Sequence, residues 1–493
     1  RLLEGSAAPL VLLPLKEKTA SGICTELLAP GLDHIGVMLP YAPLLDLLAR
    51  EVGLPLVATS GNMSGSPIFF TDAQALKHLG QVADAFLTHN RDIVLPQDDS
   101  VIHIAGNQPI ILRRSRGLAP TFFNPQTDAA PQGSVLALGA QQKSTFCWQQ
   151  GNNVYISPYL GDMDSADTQE RFDYVLRHFE QLLDTQPQQL LADKHPGYYT
   201  SELAQELSAR WQIPLLQVQH HKAHAAAVLG EHGLNRSQKP VMAVVWDGTG
   251  LGEDGQIWGG EFFICEKGKI RRFAHLGYFD ALLGDKMPRE PRLSALSLCK
   301  ELPEGHSLLK PHFSPQAWDL YQRMLAQPGS LKTSSMGRFF DGVACLLGLP
   351  AQVSFEGEAA MQIEALARRG FRKGAIPEGL TGSYLGDKLP LSGTEIAPAH
   401  ILRPLLAHLL AGGDPAEIAA RFHLSLVQLI RDVARQSACT GIAFSGGVFQ
   451  NTLLIHLINK HLRTEFTLHF HQQLSPNDEN ISYGQLQYFI HHL

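Results

Sequence analysis

Two histidines four residues apart, His220 and His224, open an alanine-rich run, and a helix there sets both imidazoles on one face, one turn apart. That spacing is how a helix offers two nitrogen ligands to a single metal ion. The chain holds 22 histidines, so a pair of core histidines is the plain alternative. Further on, residues 241–246 form a short apolar run that ends in Asp247-Gly248-Thr249-Gly250. A carboxylate at a strand end, followed by glycines, suits a tight hairpin whose backbone N–H groups face a phosphate or a metal. Taken alone, those four residues are also ordinary turn chemistry. Together, and joined by a strand of buried type, the two features make a candidate site.

Composition narrows the class of protein. A length of 493 residues exceeds one core and implies about two to four domains. Net charge is −7 and pI about 6.3, which gives no bulk electrostatic case for a nucleic-acid partner. No apolar run reaches the roughly 18 residues of a membrane span. The six cysteines (Cys24, Cys147, Cys265, Cys299, Cys345, Cys439) are scattered, with no Cys-x-x-Cys. That excludes zinc-finger spacing and a disulfide framework, and fits a reducing cytoplasm. No signal peptide is visible, and the start at Arg1-Leu2-Leu3-Glu4, without methionine, reads as that of a fragment.

The elements that must position the candidate residues alternate between strand and helix, which predicts an α/β class. In residues 1–121, strands are expected at 9–15, 35–39 and 55–59, and helices at 41–51, 71–79 and 81–86. A glycine-broken polar loop follows at Ser60–Gly65. Residues 119–134, rich in proline and small polar residues, read as a linker, with its core at 122–134. Residues 135–493 form the second unit, divided at about 135–238 and 239–493. Here strands are expected at 135–138, 154–157, 241–246, 441–444 and 467–471. Helices are expected at 168–183, 337–347, 359–368, 401–411, 415–437 and 482–491. Two strand–hairpin–helix halves, each with a glycine-rich turn, suggest a duplicated nucleotide-binding architecture.

Ordered motifs then carry a family resemblance. Residues 56–68 (LVATSGNMSGSPI), 97–101 (QDDSV) and 113–117 (RRSRG) resemble the second half of a YrdC-like adenylate-forming domain. Residues 135–493 resemble the TsaD-like carbamoyltransferase domain of the ASKHA (actin/hexokinase-like) fold. The matching stretches are LGAQQKSTF, ADKHPGYYTSELA, HHKAH, DGTGLGEDGQIWGGEF, SSMGRFFDGVA, FEGEAAMQIEALA, FSGGVFQN and SPND. Both domains, in this order, are similar to the HypF family, the carbamoyltransferases of [NiFe]-hydrogenase maturation. The resemblance implies an enzyme that makes carbamoyl-adenylate from ATP and carbamoyl phosphate. It then passes the carbamoyl group to the C-terminal cysteine of a HypE partner, for the cyanide ligands of the hydrogenase. The family's acylphosphatase and zinc-finger regions, and the first half of its YrdC-like domain, have no counterpart here. The family's Asp-Gly-Gly is Asp478-Glu479-Asn480, and its Leu-Lys-Asn-Thr is Gln142-Lys143-Ser144-Thr145.

By the same resemblance, His220, His224 and Asp478 are metal ligands and catalytic residues, with Asp247 a further carboxylate. Such a set suits Zn²⁺ or Fe²⁺, and Mg²⁺ can accompany ATP. Lys143, Gly248, Gly250, Ser445, Gly446, Gly447 and Asn451 are expected around the nucleotide. Ser60, Asn62, Arg113, Arg114 and Arg116 are expected at phosphates in the first domain. Asp285, Lys286, Arg289 and Arg292 form a charged loop expected to face the shared cleft. No internal cysteine is needed as nucleophile. Competing readings are tRNA threonylcarbamoyl-adenosine synthesis, a small-molecule O-carbamoyltransferase, and a non-catalytic nucleotide- and metal-binding scaffold.

Overall fold

Three β-sheets carry the architecture of the computed structural model, which describes residues 1–493 apart from 17–21, 64, 124–132, 373–378 and 387–393. Two of the sheets have six strands each and repeat one plan. In the first, Ser134–Ala137 pairs antiparallel with Cys147–Gln150, which pairs antiparallel with Asn153–Ile156. On its other side Ser134–Ala137 runs parallel to Gln189–Asp193, and that strand to Leu215–Val218. In the second, Val241–Trp246 pairs antiparallel with Gly260–Glu266 and then Lys269–Leu276. On its other side it runs parallel to Gly441–Ser445 and then Thr467–Phe470. This is the ASKHA-type duplication expected from the paired halves.

The central strands are buried throughout, and almost wholly apolar, because both of their faces are covered by other elements. Val241–Trp246 (VMAVVW) is buried at every position, as is Gly441–Ser445. The long helix Pro415–Ser437 starts where its sequence says it should. Asp414 caps it by accepting from the Ala416 N–H, and Pro415 occupies the first turn, where no N–H is needed.

The last helix, Ile481–His492, does not stay with the sheet that precedes it in the chain. Its Tyr483 and Leu486 share a core with Val135, Ala137, Val154 and Leu191 of the first six-stranded sheet. It crosses the helix His220–Glu231 very closely. A Cβ at Gly484 would lie 2.0 Å from the Ala223 carbonyl oxygen, so only glycine permits the contact.

The first unit is a four-stranded sheet ordered His34–Val37, Leu10–Pro14, Val101–Ala105, Gln108–Arg113. It docks on both halves of the second unit. Asn477 Nδ2 donates to the Leu112 carbonyl at 2.9 Å, and Arg171 pairs with Asp98 at 3.1 Å.

Two expected elements are not formed. Residues 55–59 are exposed and find no strand to pair with among the described residues. Residues 81–86 make only a turn, with the Val82 and Ala83 N–H groups both donating to the Leu79 carbonyl, because Val82 and Leu87 have no apolar surface to bury against. The linker also starts later than expected. Thr121–Phe123 pairs with Asn153–Ile156 as an edge strand of the first six-stranded sheet, and 124–132 lie outside the described residues.

Candidate metal centre and its cleft

The ends of the parallel strands, where open α/β sheets bind their ligands, converge on four residues. Asp247 follows Val241–Trp246, and His220 and His224 lie on the first two turns of His220–Glu231. Asp478 starts the short turn before the last helix. The helix begins at His220 because Gln219 caps it, accepting from the Lys222 N–H at 2.8 Å.

His220 Nε2 lies 3.4 Å from Asp247 Oδ2 and 3.7 Å from Asp478 Oδ1. His224 Nε2 lies 3.5 Å from each of the same two oxygens. One ligand atom from each of the four residues falls within 4.8 Å of all the others. The far nitrogens are held by the protein. His220 Nδ1 meets Asp193 Oδ2 at 2.7 Å, and His224 Nδ1 meets Asn480 Oδ1 at 3.0 Å. Asp247 Oδ1 accepts from the Gly447 N–H at 3.1 Å, and Ser335 Oγ donates to the Asp247 carbonyl at 3.1 Å.

The charges in this buried site oppose the cost of burial by facing one another. Burial alone favours neutral carboxyls, yet the two imidazoles outweigh it and hold Asp247 well below the usual carboxylate range. Asp478 is likewise lowered to about 2, with His220 and His224 overcoming burial and the neighbouring Asp247. Burial also opposes a charged His220, but Asp193 and Asp478 raise it well above its ordinary value. Burial and the adjacent His220 push His221 the other way, and it stays neutral.

A divalent cation fits these residues. The Nε2 atoms of His220 and His224 are buried and have no hydrogen-bond partner, a costly state that coordination removes. The 3.4–3.7 Å separations are close to the ~3.3 Å between ligand atoms of a tetrahedron with bonds of ~2.05 Å. Two imidazoles and two carboxylates suit Zn²⁺ or Fe²⁺, and Asp193 and Asn480 orient the imidazoles as outer partners do in metal sites.

Other expected residues fall into two groups. Lys143 stands near enough to the four residues to feel the Asp478 charge. Its Nζ pairs with Glu356 at 3.1 Å and its N–H donates to Asp162 at 2.7 Å. Burial opposes its charge, but Glu356, Asp162 and Asp478 together raise the ammonium well above the ordinary lysine value. Gly248 leaves its backbone open, with only Glu356 and Arg338 near a would-be Cβ, at 3.9 and 4.0 Å.

The second group is packed against or hydrogen-bonded to the protein itself. Gly250 is required by the imidazoles, since a Cβ there would lie 2.5 Å from the His221 ring. Gly446 has φ +102°, and a Cβ would lie 2.2 Å from the Trp246 carbonyl oxygen. Asn451 caps the helix Thr452–Leu462 and meets His423 Nε2 at 3.1 Å. Ser445 faces His224 and His471. Arg114 is buried and donates to the Ser157 carbonyl at 2.7 Å. Arg116 pairs with Asp99 at 2.8 Å and lies 3.5 Å over the Tyr41 ring. Arg113 donates to the Asp99 carbonyl. Arg113 and Arg116 thus bind loops of the first unit to one another, and Arg114 ties that unit to the second. Ser60 donates to Asn62, whose amide donates to Met63 and Ser66 within one exposed loop. In the charged loop, Lys286 and Arg292 both pair with Glu290.

Sequence reading missed Asp193, Asp162, Glu356, Arg338 and Asn480. Asp193 had a signal, an acidic residue closing an apolar strand next to the histidine helix. Glu356 stood only inside the FEGEAAMQIEALA stretch and Asp162 in none, because both reach the site only through tertiary packing.

Comparison with known proteins agrees with this architecture. Residues 243–485 match the family described as "Carbamoyltransferase, Kae1-like Domain, second subdomain", and 130–231 match "HypF Kae1-like domain". Residues 1–115 match the Sua5/YciO/YrdC family, described as "Telomere recombination". The chain is 39% identical to carbamoyltransferase HypF of Synechocystis sp. over 98% of its own length and 63% of that protein. It is 33% identical to a carbamoyltransferase HypF homolog of Cupriavidus necator, over 66% of this chain and 83% of that one. A crystal structure of full-length HypF in the phosphate- and nucleotide-bound form superposes with TM-score 0.88 at 33% identity, covering 99% of this chain and 75% of that one. The chain thus spans less than two thirds of the Synechocystis relative. Its duplicated sheets and docked first unit define an ASKHA-type protein with a YrdC-like domain. The chain belongs to the HypF carbamoyltransferase family.

Proposed function

We propose that this chain transfers a carbamoyl group from carbamoyl-adenylate to the C-terminal cysteine of a HypE-like protein, for the cyanide ligands of [NiFe]-hydrogenase. Carbamoyl phosphate is the source of the carbamoyl group and ATP of the adenylyl group that activates it, and the reaction belongs to the cytoplasm. The working units are 1–121 and 135–493, the latter in halves at about 135–238 and 239–493. In the step itself the cysteine thiolate attacks the carbamoyl carbon. The C–O bond to the phosphate breaks, AMP leaves with the electron pair, and a thiocarbamate forms.

His220, His224, Asp247 and Asp478 hold one divalent cation, which when bound polarises the carbamoyl or phosphate oxygen as a Lewis acid. Lys143 sets a cation beside the adenylate phosphate, and Gly248 lets the backbone approach it. The nucleotide in the related crystal structure supports binding of ATP or its adenylate here. The observation that carries the reading is the pair of buried, unpartnered Nε2 atoms facing two carboxylates where both sheets end, with Lys143 alongside.

The test supplies zinc-loaded chain with carbamoyl-adenylate and a peptide ending in cysteine, and weighs the peptide by mass spectrometry. Gain of one carbamoyl group is expected, and its loss in His224→Ala. An unmodified peptide in the presence of bound zinc overturns the reading.

A further inference from the structure

Behind His224 lies a line of buried polar residues that carbamoyl transfer does not explain. His224 Nδ1 faces Asn480 Oδ1 at 3.0 Å and Ser445 Oγ at 3.2 Å. Ser445 Oγ faces His471 Nε2 at 2.9 Å, and His471 Nδ1 is hydrogen-bonded to Glu231 Oε1. All five side chains lie in the interior. Glu231 Oε2 accepts from the Gln472 and Gln473 N–H groups at 2.9 and 2.8 Å. That half of the carboxylate ties the histidine helix to the end of Thr467–Phe470. A tie of this kind needs neither His471 nor Ser445.

The hydrogens of this line can be assigned by elimination. Asn480 Nδ2 donates to the Ser475 carbonyl at 2.9 Å, which orients its amide and leaves Oδ1 as the acceptor facing His224. An acceptor there requires a hydrogen on His224 Nδ1, so in the neutral ring that binds an ion Nε2 carries the lone pair. The Ser445 oxygen is then free to accept from His224 and from Asn480 Nδ2, at 3.3 Å, while its single O–H donates to His471 Nε2. His471 accordingly carries its hydrogen on Nδ1 and donates it to Glu231. Every donor has an acceptor, and all the bonds run one way, from the ion's edge to a buried carboxylate. In the opposite tautomer, His224 Nδ1 and Asn480 Oδ1 would be two acceptors in contact, which is costly in a buried site.

We infer that Glu231, His471 and Ser445 are positioning residues that act with Asn480: by drawing the Ser445 O–H away from His224 they leave Ser445 an acceptor there, and so reinforce the tautomer of His224 that offers Nε2 to the ion. His220 reaches the same end directly, through Asp193. The inference rests on the metal reading above. Partners of this type typically set metal affinity by about 10–100-fold.

The test uses the full chain and zinc, with a competing chelator dye as readout. His471→Leu should weaken zinc binding by about tenfold or more. His471→Gln should lose less, because its amide can accept from Ser445 and donate to Glu231. Nitrogen-15 shifts of labelled histidine in the zinc-bound wild type should give Nδ1–H at both His224 and His471, and they decide the matter alone if His471→Leu does not fold. Wild-type affinity in His471→Leu, or an Nε2–H tautomer at His471, overturns the inference while leaving the metal centre standing. A wild type that takes up no zinc overturns both.

Discussion

Gly447 donates its backbone N–H to Asp247 Oδ1 at 3.1 Å, and this frees Oδ2 to face both imidazoles. One carboxylate is thereby shared between the turn after one strand and the ion site beside the next. A Cβ at Gly447 would itself stand 3.1 Å from Oδ1, tighter than most real contacts. Gly447→Ala should therefore keep the fold but displace Asp247, lowering zinc affinity by about tenfold. Isothermal titration beside a melting curve separates the two effects.

His220→Ala and His224→Ala should each strip the ion, because one lost ligand leaves a mononuclear site too weak at ordinary free-metal levels. Elemental analysis of purified variants reads this directly. Full occupancy in either variant means that the two histidines serve the core.

Asp193→Asn keeps the size of the side chain but removes the charge that holds His220 Nδ1 at 2.7 Å. Zinc affinity should drop by about 10–100-fold, with little change in the far-ultraviolet spectrum. An unchanged affinity would make Asp193 a mere loop anchor for the His195 N–H that it also accepts.

Local stability should differ along the chain. The helix Pro43–Val52 has no buried residue, and Leu44, Leu47, Leu48 and Val52 are exposed. Hydrogen exchange should run faster in residues 1–117 than in 135–493. Equal protection in the two regions would show that another chain or segment covers that apolar face.

His423 gives a pH dependence with a defined sign. Burial lowers its imidazole to about 4 from 6.5, and its Nδ1 and Nε2 contacts with Ala419 and Asn451 suit the neutral ring. The unfolded chain binds the proton more readily between those values. The His423 contribution is thus complete above pH 6.5 and is lost as pH falls toward 4, by up to about 3 kcal/mol. His423→Gln should flatten this share in urea unfolding measured on both sides of pH 6.5, while His491 and His492, also lowered to about 4, keep theirs. A parallel pH profile for wild type and variant would refute the assignment.

Much of this was legible in the residues themselves. Val241–Trp246 and Pro415–Ser437 form with the expected bounds, because an unbroken apolar run and an Asp-Pro start are local signals. The His220–His224 pair was legible for the same reason, being a spacing within one helix. The destinations of glycines and arginines were not. Gly250 reads alike whether it makes room for a phosphate or for the His221 ring, and only packing decides between them. Arg114 reads as a phosphate ligand, and nothing in its sequence neighbourhood announces its burial against Ser157. The return of Ile481–His492 to the first sheet is likewise a tertiary outcome, set by the small residues at Gly484 and Ala223.

That return makes the histidine helix a layer shared by both halves. Its Ala225, Val228 and Leu229 share a core with Val241, Ala243 and Val245 of the second sheet, while Ala227 joins Tyr483 and Leu486 of the final helix over the first sheet. The imidazoles and Asp247 are thus carried on one packed body. The ligand set is assembled before any ion arrives, so loading it costs little reordering of the protein.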